Sequence, residues 1–185
     1  MTKFSELIEP GVEFKTLGEG MSWTEGPLWL ADRQSYIFSD IHNNAIMAWS
    51  EPKQTMSVFA NNVEFTNGRA IDGNGDIIEC SHGRRAVQRR SASTGEVTVL
   101  VDHFAGVSLN SPNDVVVASD GAIWFSDPAY GIELAGEGHP GVREYGDRWI
   151  FRFDESTGQI WPVVTDVIAP NGLAFSPDES VLYVC

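Results

Sequence analysis

The chain has 185 residues, of which 42% are apolar and 21% charged, so it can bury the core of one large globular domain. Twelve basic and 26 acidic residues give a formal net charge of −14, which disfavours binding to nucleic acid or to anionic membrane surfaces. No apolar run is long enough for a secretory signal or a membrane span, and Cys80 and Cys185 make no disulfide framework, so we expect a cytoplasmic protein.

Four segments of the chain, taken in order, follow one pattern. Each begins with Thr or Pro, then Glu or Asn, then Gly or Asp, and continues with an apolar strand, a polar turn and a second apolar strand. Asp-Gly and Pro-Asp turns between β-rich runs are typical of hairpins, because they supply the backbone angles that the turn requires. The segments are residues 24–40, 66–81, 112–127 and 170–185.

The second residue of each segment, which we call the lead residue, recurs at a regular interval. The lead residues are Glu25, Asn67, Asn113 and Asn171, and they lie 42, 46 and 58 residues apart. The last interval contains a Gly-rich insertion, residues 129–147, which accounts for an excess of 17 residues. A repeat of about 40 to 50 residues with about four strands per unit is the signature of a β-propeller. A β-sandwich with accidental similarity between strands is the alternative.

We therefore predict an all-β fold in which residues 1–185 form a single β-propeller domain. The fourth unit stops inside its second strand, on apolar residues that would leave an open sheet edge. About four blades are expected, and the chain is expected to be the N-terminal part of a longer propeller; a complete small protein is the alternative.

The repeat predicts where the lead residues lie. Residues at the starts of the innermost strands of a propeller converge on its axis, so Glu25, Asn67, Asn113 and Asn171 are predicted to form a ring. One carboxylate with several amide oxygens suits Ca²⁺, or Mg²⁺ and Mn²⁺ with waters, and lacks the sulfur and imidazole that structural zinc prefers. The alternative is that each is a turn former, because Asn side chains bond to nearby backbone groups.

Other motifs are weaker. His82 follows the second strand of its unit, near the position that Asp127 occupies in its own unit, and both are candidate substrate contacts; a turn histidine is the alternative for His82. The chain has neither a G-x-S-x-G elbow nor an H-E-x-x-H motif. Residues 72–76, "DGNGD", lack the Gly and Glu of a calcium loop and are predicted to be a hairpin turn. The basic stretch 83–90 is predicted to be a solvated strand face.

Four stretches carry a resemblance to a known family. They are "TEGPLWL", "CSHGRRAVQR", "LNSPNDVVVASDGAIWFSDPAYGI" and "APNGLAFSPDESVLYV", and they resemble the SMP-30/gluconolactonase/LRE-like family, particularly its bacterial members. The resemblance implies a six-bladed propeller with one divalent metal in its central channel. It also implies hydrolysis of lactones, above all sugar lactones such as gluconolactone; some relatives act on organophosphates.

Carried over position by position, the resemblance makes Glu25 and Asn171 metal ligands and Asn113 a ligand or substrate contact. Asp114 is implied to lie beside Asn113 in the pocket, and Asn67 completes the expected substrate contacts. The family's catalytic acid/base Asp belongs to a later blade, so no catalytic residue is assigned here and the chain alone is expected to have little or no activity. Ca²⁺ is the expected metal, with Mg²⁺, Mn²⁺ or Zn²⁺ as alternatives.

Three functions compete. A metal-dependent lactonase is the first, with a small-molecule lactone as its partner and no nucleic acid, membrane or obligate protein partner. A non-catalytic propeller that serves as an interaction scaffold is the second, and a phosphotriesterase or another esterase of the same family is the third. Glu25 favours an enzyme, because a scaffold has no need of a carboxylate among ring amides.

Overall fold

The computed structural model of the protein describes residue 6 and residues 8–185. The prediction that the N-terminal segment, residues 1–14, has no secretory apolar run falls partly on residues 1–5 and 7, which lie outside the described residues. Among the residues described, no helix is long and apolar enough to span a membrane. Regular structure is almost entirely β, which confirms the all-β prediction.

The strands form three four-stranded antiparallel sheets, a two-stranded sheet and a small hairpin. The first sheet contains β1 (Thr24–Leu30), β2 (Ser35–Asp40), β3 (Ala45–Ser50) and β4 (Thr55–Asn61). The second contains β5 (Thr66–Ile71), β6 (Ile77–Ser81), β7 (Ala86–Arg90) and β8 (Val97–Val101), and the hairpin β9 (His103–Phe104) and β10 (Val107–Ser108) follows it. The third contains β11 (Val115–Val117), β12 (Ile123–Asp127), β13 (Trp149–Asp154) and β14 (Gln159–Val164). The fourth contains β15 (Leu173–Phe175) and β16 (Leu182–Val184).

Each four-stranded sheet is a meander in which consecutive strands pair. The four predicted segments are the hairpins β1–β2, β5–β6, β11–β12 and β15–β16, as the polar turns indicated. The "DGNGD" turn is one example, since Asp72 Oδ1 accepts hydrogen bonds from the backbone N–H groups of Asn74 and Asp76 at 2.9 and 3.0 Å. A short helix, α1 (Tyr130–Glu133), lies in the insertion between β12 and β13, and a 3₁₀ turn (Ala31–Arg33) joins β1 to β2.

The sheets pack face to face through two apolar clusters. One joins the first sheet to the second, and the other joins the second to the third; burial of each large side chain contributes on the order of 2 kcal/mol. The first cluster contains Leu30, Ile37, Ile46, Val63 and Ile77. The second contains Ile78, Cys80, Val87, Val101, Leu109, Val115, Ile123, Phe125, Phe151 and Phe153.

The first strand of every sheet lies against the first strand of the next one. Gly68 N donates to Asn113 O at 2.7 Å, and Ser126 Oγ donates to Asn171 O at 2.7 Å. At Gly68 an added Cβ would overlap Asp114 Oδ1, so the glycine is needed for close backbone approach. The Asn-Gly step at residues 67–68 is therefore part of an inner strand and not a hairpin turn.

The basic stretch differs from its prediction. Arg90 is only 8% exposed, and its Nη2 lies 2.7 Å from Oε1 of the fully buried Glu79. Arg89 bridges Asp72 and Glu155 at the edge of the sheets. The prediction of a solvated strand face is therefore wrong for Arg90, because the alternate residues of this strand face the neighbouring sheet.

Candidate functional site

The four lead residues meet at one end of the channel between the sheets. Together they line a cavity of about 130 Å³. The other lining residues are Trp23, Tyr130, Leu134 and Glu137. Residues from four separate hairpins therefore share one small site, in the arrangement that the repeat predicted.

Irregular strand starts direct the lead side chains. The β1–β2 register shifts between Glu25 and Leu28, and the β5–β6 register shifts between Thr66 and Arg69. Such bulges turn a side chain out of the regular alternation of a strand. Asn67 is 5% exposed, Glu25 is half-buried and Asn171 is exposed.

His82 lies directly behind the amides of the ring. Its Nε2 is 3.2 Å from Asn113 Nδ2 and 3.5 Å from Asn67 Nδ2, and its Nδ1 is 2.9 Å from the carbonyl oxygen of Glu137. The residue is fully buried, and burial lowers the pKa of its imidazole to about 4. His82 does not line the cavity, so its predicted contact with substrate stays a prediction.

Asp114 lies on the channel side of the ring. It lines a larger cavity of about 460 Å³ formed by the first strands of the sheets, which the four lead residues also border. Its Oδ2 accepts a hydrogen bond from Leu173 N at 2.8 Å and so joins the third sheet to the fourth. Burial raises the pKa of this carboxyl. A role in substrate binding stays a prediction for Asp114.

Asp127 holds the turn that carries Asn113. Its carboxylate accepts hydrogen bonds from Ser111 N, Asn110 N and Tyr145 Oη, each at 2.8 Å. The side chain is fully buried and lines neither of the two cavities, and burial raises its pKa to about 7. In the structure the Asp127 carboxylate holds the backbone just before β11 by hydrogen bonds. Its predicted contact with substrate stays a prediction.

Four lining residues have no counterpart in the predicted ring. Tyr130, Leu134 and Glu137 come from the insertion, and Trp23 precedes Glu25. Burial raises the pKa of the Glu137 carboxyl, and the negative charge of Glu25 adds to this rise. The excess length of residues 129–147 is the one sequence feature that could have indicated these lining residues, but it did not identify any of them individually.

The donor set can be compared with what a metal ion needs. Over residues 6 and 8–185 there is no group of three or more His, Cys, Asp or Glu side chains that could hold an ion. The ring offers instead one carboxylate, from Glu25, and amide oxygens. No described residue donates to Oδ1 of Asn67 or Asn113, so both oxygens are free to act as ligands. Hard oxygen ligands of this kind fit Ca²⁺.

Most of the chain matches a known protein family. The family profile described as SMP-30/Gluconolactonase/LRE-like region matches residues 23–185. The chain belongs to the SMP-30/gluconolactonase/LRE-like family. The resemblance drawn from the sequence motifs is therefore confirmed.

Several relatives within the SMP-30/gluconolactonase/LRE-like family are named for lactone chemistry. A gluconolactonase of Zymomonas mobilis is 30% identical over 201 residues, which cover all of this chain and 55% of that protein. A solved gluconolactonase of Xanthomonas campestris has a TM-score of 0.86 and 39% identity over 91% of this chain and 56% of its own. A solved putative gluconolactonase has a TM-score of 0.90 and 40% identity, covering 98% and 61%. The chain thus spans about half the length of the curated relative.

A more distant structure shows the same fold. Regucalcin of Agrobacterium tumefaciens, described as a calcium-binding protein, has a TM-score of 0.67 at 19% identity over 91% of this chain and 52% of its own. This similarity, with the gluconolactonase structures, confirms an all-β fold of the propeller type.

Proposed function

We propose that this chain belongs to an enzyme that hydrolyses a sugar lactone such as gluconolactone, with a divalent cation, Ca²⁺, held at the ring of lead residues. The observation that supports this most is the convergence of Glu25, Asn67, Asn113 and Asn171 on one cavity of about 130 Å³. The relatives named gluconolactonase supply the reaction class.

Glu25, Asn113 and Asn171 are the residues that would hold the ion. Glu25 supplies the only negative charge among the four lead residues, so a doubly charged cation bound here keeps much of its Lewis acidity. A cation held by these residues would supply a Lewis acid for polarising the lactone carbonyl and for stabilising the negative charge that develops on its oxygen. Asn67 offers its free oxygen to the same cavity as a substrate contact.

The remaining lining residues shape the space for the substrate. Trp23, Tyr130 and Leu134 provide apolar surface that can pack against the carbon atoms of a sugar lactone. Glu137 contributes a carboxylate that can accept hydrogen bonds from hydroxyl groups, which a sugar lactone has in abundance. The carboxylate that activates water is not assigned to a residue of this chain.

We infer, as part of the same proposal, that the four sheets are successive blades of a metal-containing propeller. The fourth sheet contains two strands. Both cysteines are free thiols, which is consistent with the expected reducing, cytoplasmic environment.

Hydrolysis assays on the native protein that contains residues 1–185 test the proposed reaction. We expect glucono-1,5-lactone to be hydrolysed well above its spontaneous rate, the activity to disappear in excess chelator, and added Ca²⁺ to restore it. A pH-stat measures the acid released. Activity that survives the chelator would contradict the metal requirement. Hydrolysis of a phosphotriester but not of the lactone would favour the esterase alternative, and activity on neither would favour a scaffold.

A further inference from the structure

His82 occupies a junction between three parts of the site. It follows the last residue of β6, is fully buried, and contacts the amides of Asn67, in β5, and of Asn113, just before β11. It also contacts the backbone of the insertion at Glu137. An added Cβ at Gly131, in α1, would overlap the imidazole, so the helix packs directly against it. The imidazole of His82 therefore has little room to move.

The partner of Nδ1 determines the tautomer of this imidazole. The carbonyl oxygen of Glu137, at 2.9 Å, can only accept a hydrogen bond, so Nδ1 must carry the proton. No carboxylate in the described part of the chain bonds to His82, and a fully buried imidazole without such a partner is neutral. Nε2 is therefore a lone-pair acceptor.

An acceptor at Nε2 in turn fixes the orientation of both amides. Only the NH₂ group of Asn113, at 3.2 Å, and that of Asn67, at 3.5 Å, can donate to it. If either amide rotated by half a turn, its oxygen would face a second acceptor in a buried site, which is unfavourable. The amide oxygens therefore point away from His82. Both residues line the cavity, and His82 does not.

We propose that His82 is a positioning residue, whose Nδ1–H tautomer turns the Oδ1 atoms of Asn67 and Asn113 into the cavity and ties the insertion at Glu137 to them. The identity of the ligand, a divalent cation, rests on the proposed function. The positioning itself rests on the three hydrogen bonds and the burial of His82. Without the imidazole, the amides can rotate and present N–H groups to the cation.

Three variants test this role through Ca²⁺ affinity, measured by calorimetry. His82→Gln can donate to the Glu137 carbonyl with its amide nitrogen and accept from the ring amides with its oxygen, so we expect its Kd to stay within about threefold of wild type. His82→Leu provides neither group, and we expect its Kd to rise by about tenfold or more. His103→Leu, which removes an exposed histidine outside the ring, is the matched control and should leave the Kd unchanged.

Equal losses of affinity in His82→Gln and His82→Leu, or no loss in a folded His82→Leu protein, would overturn the proposal. A measurement on the wild-type protein without metal covers the case in which His82→Leu does not fold. Long-range ¹H–¹⁵N spectra of the imidazole should show a protonated Nδ1 and an unprotonated Nε2. A protonated Nε2 would overturn the proposal. If the tautomer is as expected but wild type binds no Ca²⁺, the positioning stands and the metal part of the proposed function fails.

Discussion

We expect replacement of Glu25 with glutamine to weaken the proposed Ca²⁺ binding by about 100-fold or more, which corresponds to about 3 kcal/mol. Glutamine has nearly the same shape as glutamate and keeps one carbonyl oxygen, so the fold should not change. What it removes is the negative charge among the four lead residues that compensates the charge of the cation. The other lining carboxylate, Glu137, comes from the insertion and is unchanged in this variant. Calorimetry on metal-free protein gives the affinity.

The control for Glu25→Gln is Glu96→Gln, which changes the net charge equally but lies at an exposed turn before β8. We expect this control to bind Ca²⁺ as wild type does. An unchanged affinity in Glu25→Gln, with the fold intact, would remove Glu25 from the site. An equal loss in both variants would mean that the overall charge of the protein, and not a local ligand, attracts the ion.

Replacing Gly68 with alanine lowers the free energy of unfolding by about 3 kcal/mol. The added Cβ would overlap Asp114 Oδ1 and would lie 2.7 Å from both the backbone oxygen of Asn113 and the Cα of Asp114. Backbone atoms cannot move aside as a flexible side chain can, so the first strands of the second and third sheets must separate. The hydrogen bond from Gly68 N to Asn113 O, at 2.7 Å, would lengthen as they do.

Gly73→Ala is the matched control, because nothing lies within 4 Å of its added Cβ and the residue lies in the turn between β5 and β6 of the same sheet. We expect it to change stability by less than about 0.5 kcal/mol. Urea unfolding followed by tryptophan fluorescence measures both variants. If Gly68→Ala unfolds at the same urea concentration as the control, the first strands are not in close contact. The convergence of the four lead residues would then need an explanation other than close contact between the first strands.

The hairpins and the ring could be predicted from local sequence. Polar turns between apolar runs determine where each hairpin reverses, and four repeats of the pattern determine which residues are equivalent. Equivalent residues in a propeller-type fold lie at equivalent places around one axis. That is why a cavity shared by Glu25, Asn67, Asn113 and Asn171 could be predicted although they are far apart in the sequence.

The rest of the site depends on packing that has no local pattern. Glu137 reaches the cavity because the insertion folds back over the sheets, and its path is determined by contacts such as that of Gly138 with the backbone of Gly131. The orientation of the amides is determined by His82, whose partners come from three separated parts of the chain.

Two polar residues illustrate the difference between what the local sequence predicts and what depends on packing. Asp127 could be recognised as lying near the position that His82 occupies in its own unit, but its hydrogen bonds to the turn before β11 emerge only from the folded backbone. Alternation of the basic residues along a probable strand predicts a solvated face for Arg90. The residue is buried because this side of the strand faces the neighbouring sheet, and Glu79, on the adjacent strand, pairs with it there.

The central claim, that a divalent cation binds at the ring of lead residues, is tested most directly by anomalous diffraction from crystals grown with Mn²⁺ in place of Ca²⁺. We expect a strong anomalous peak within about 2.6 Å of a Glu25 carboxylate oxygen and of Oδ1 of Asn113 and Asn171. Under the same conditions, Glu25→Gln crystals should lose most of the peak. A peak only at some other place in the wild-type protein, or none at saturating Mn²⁺, would contradict the account.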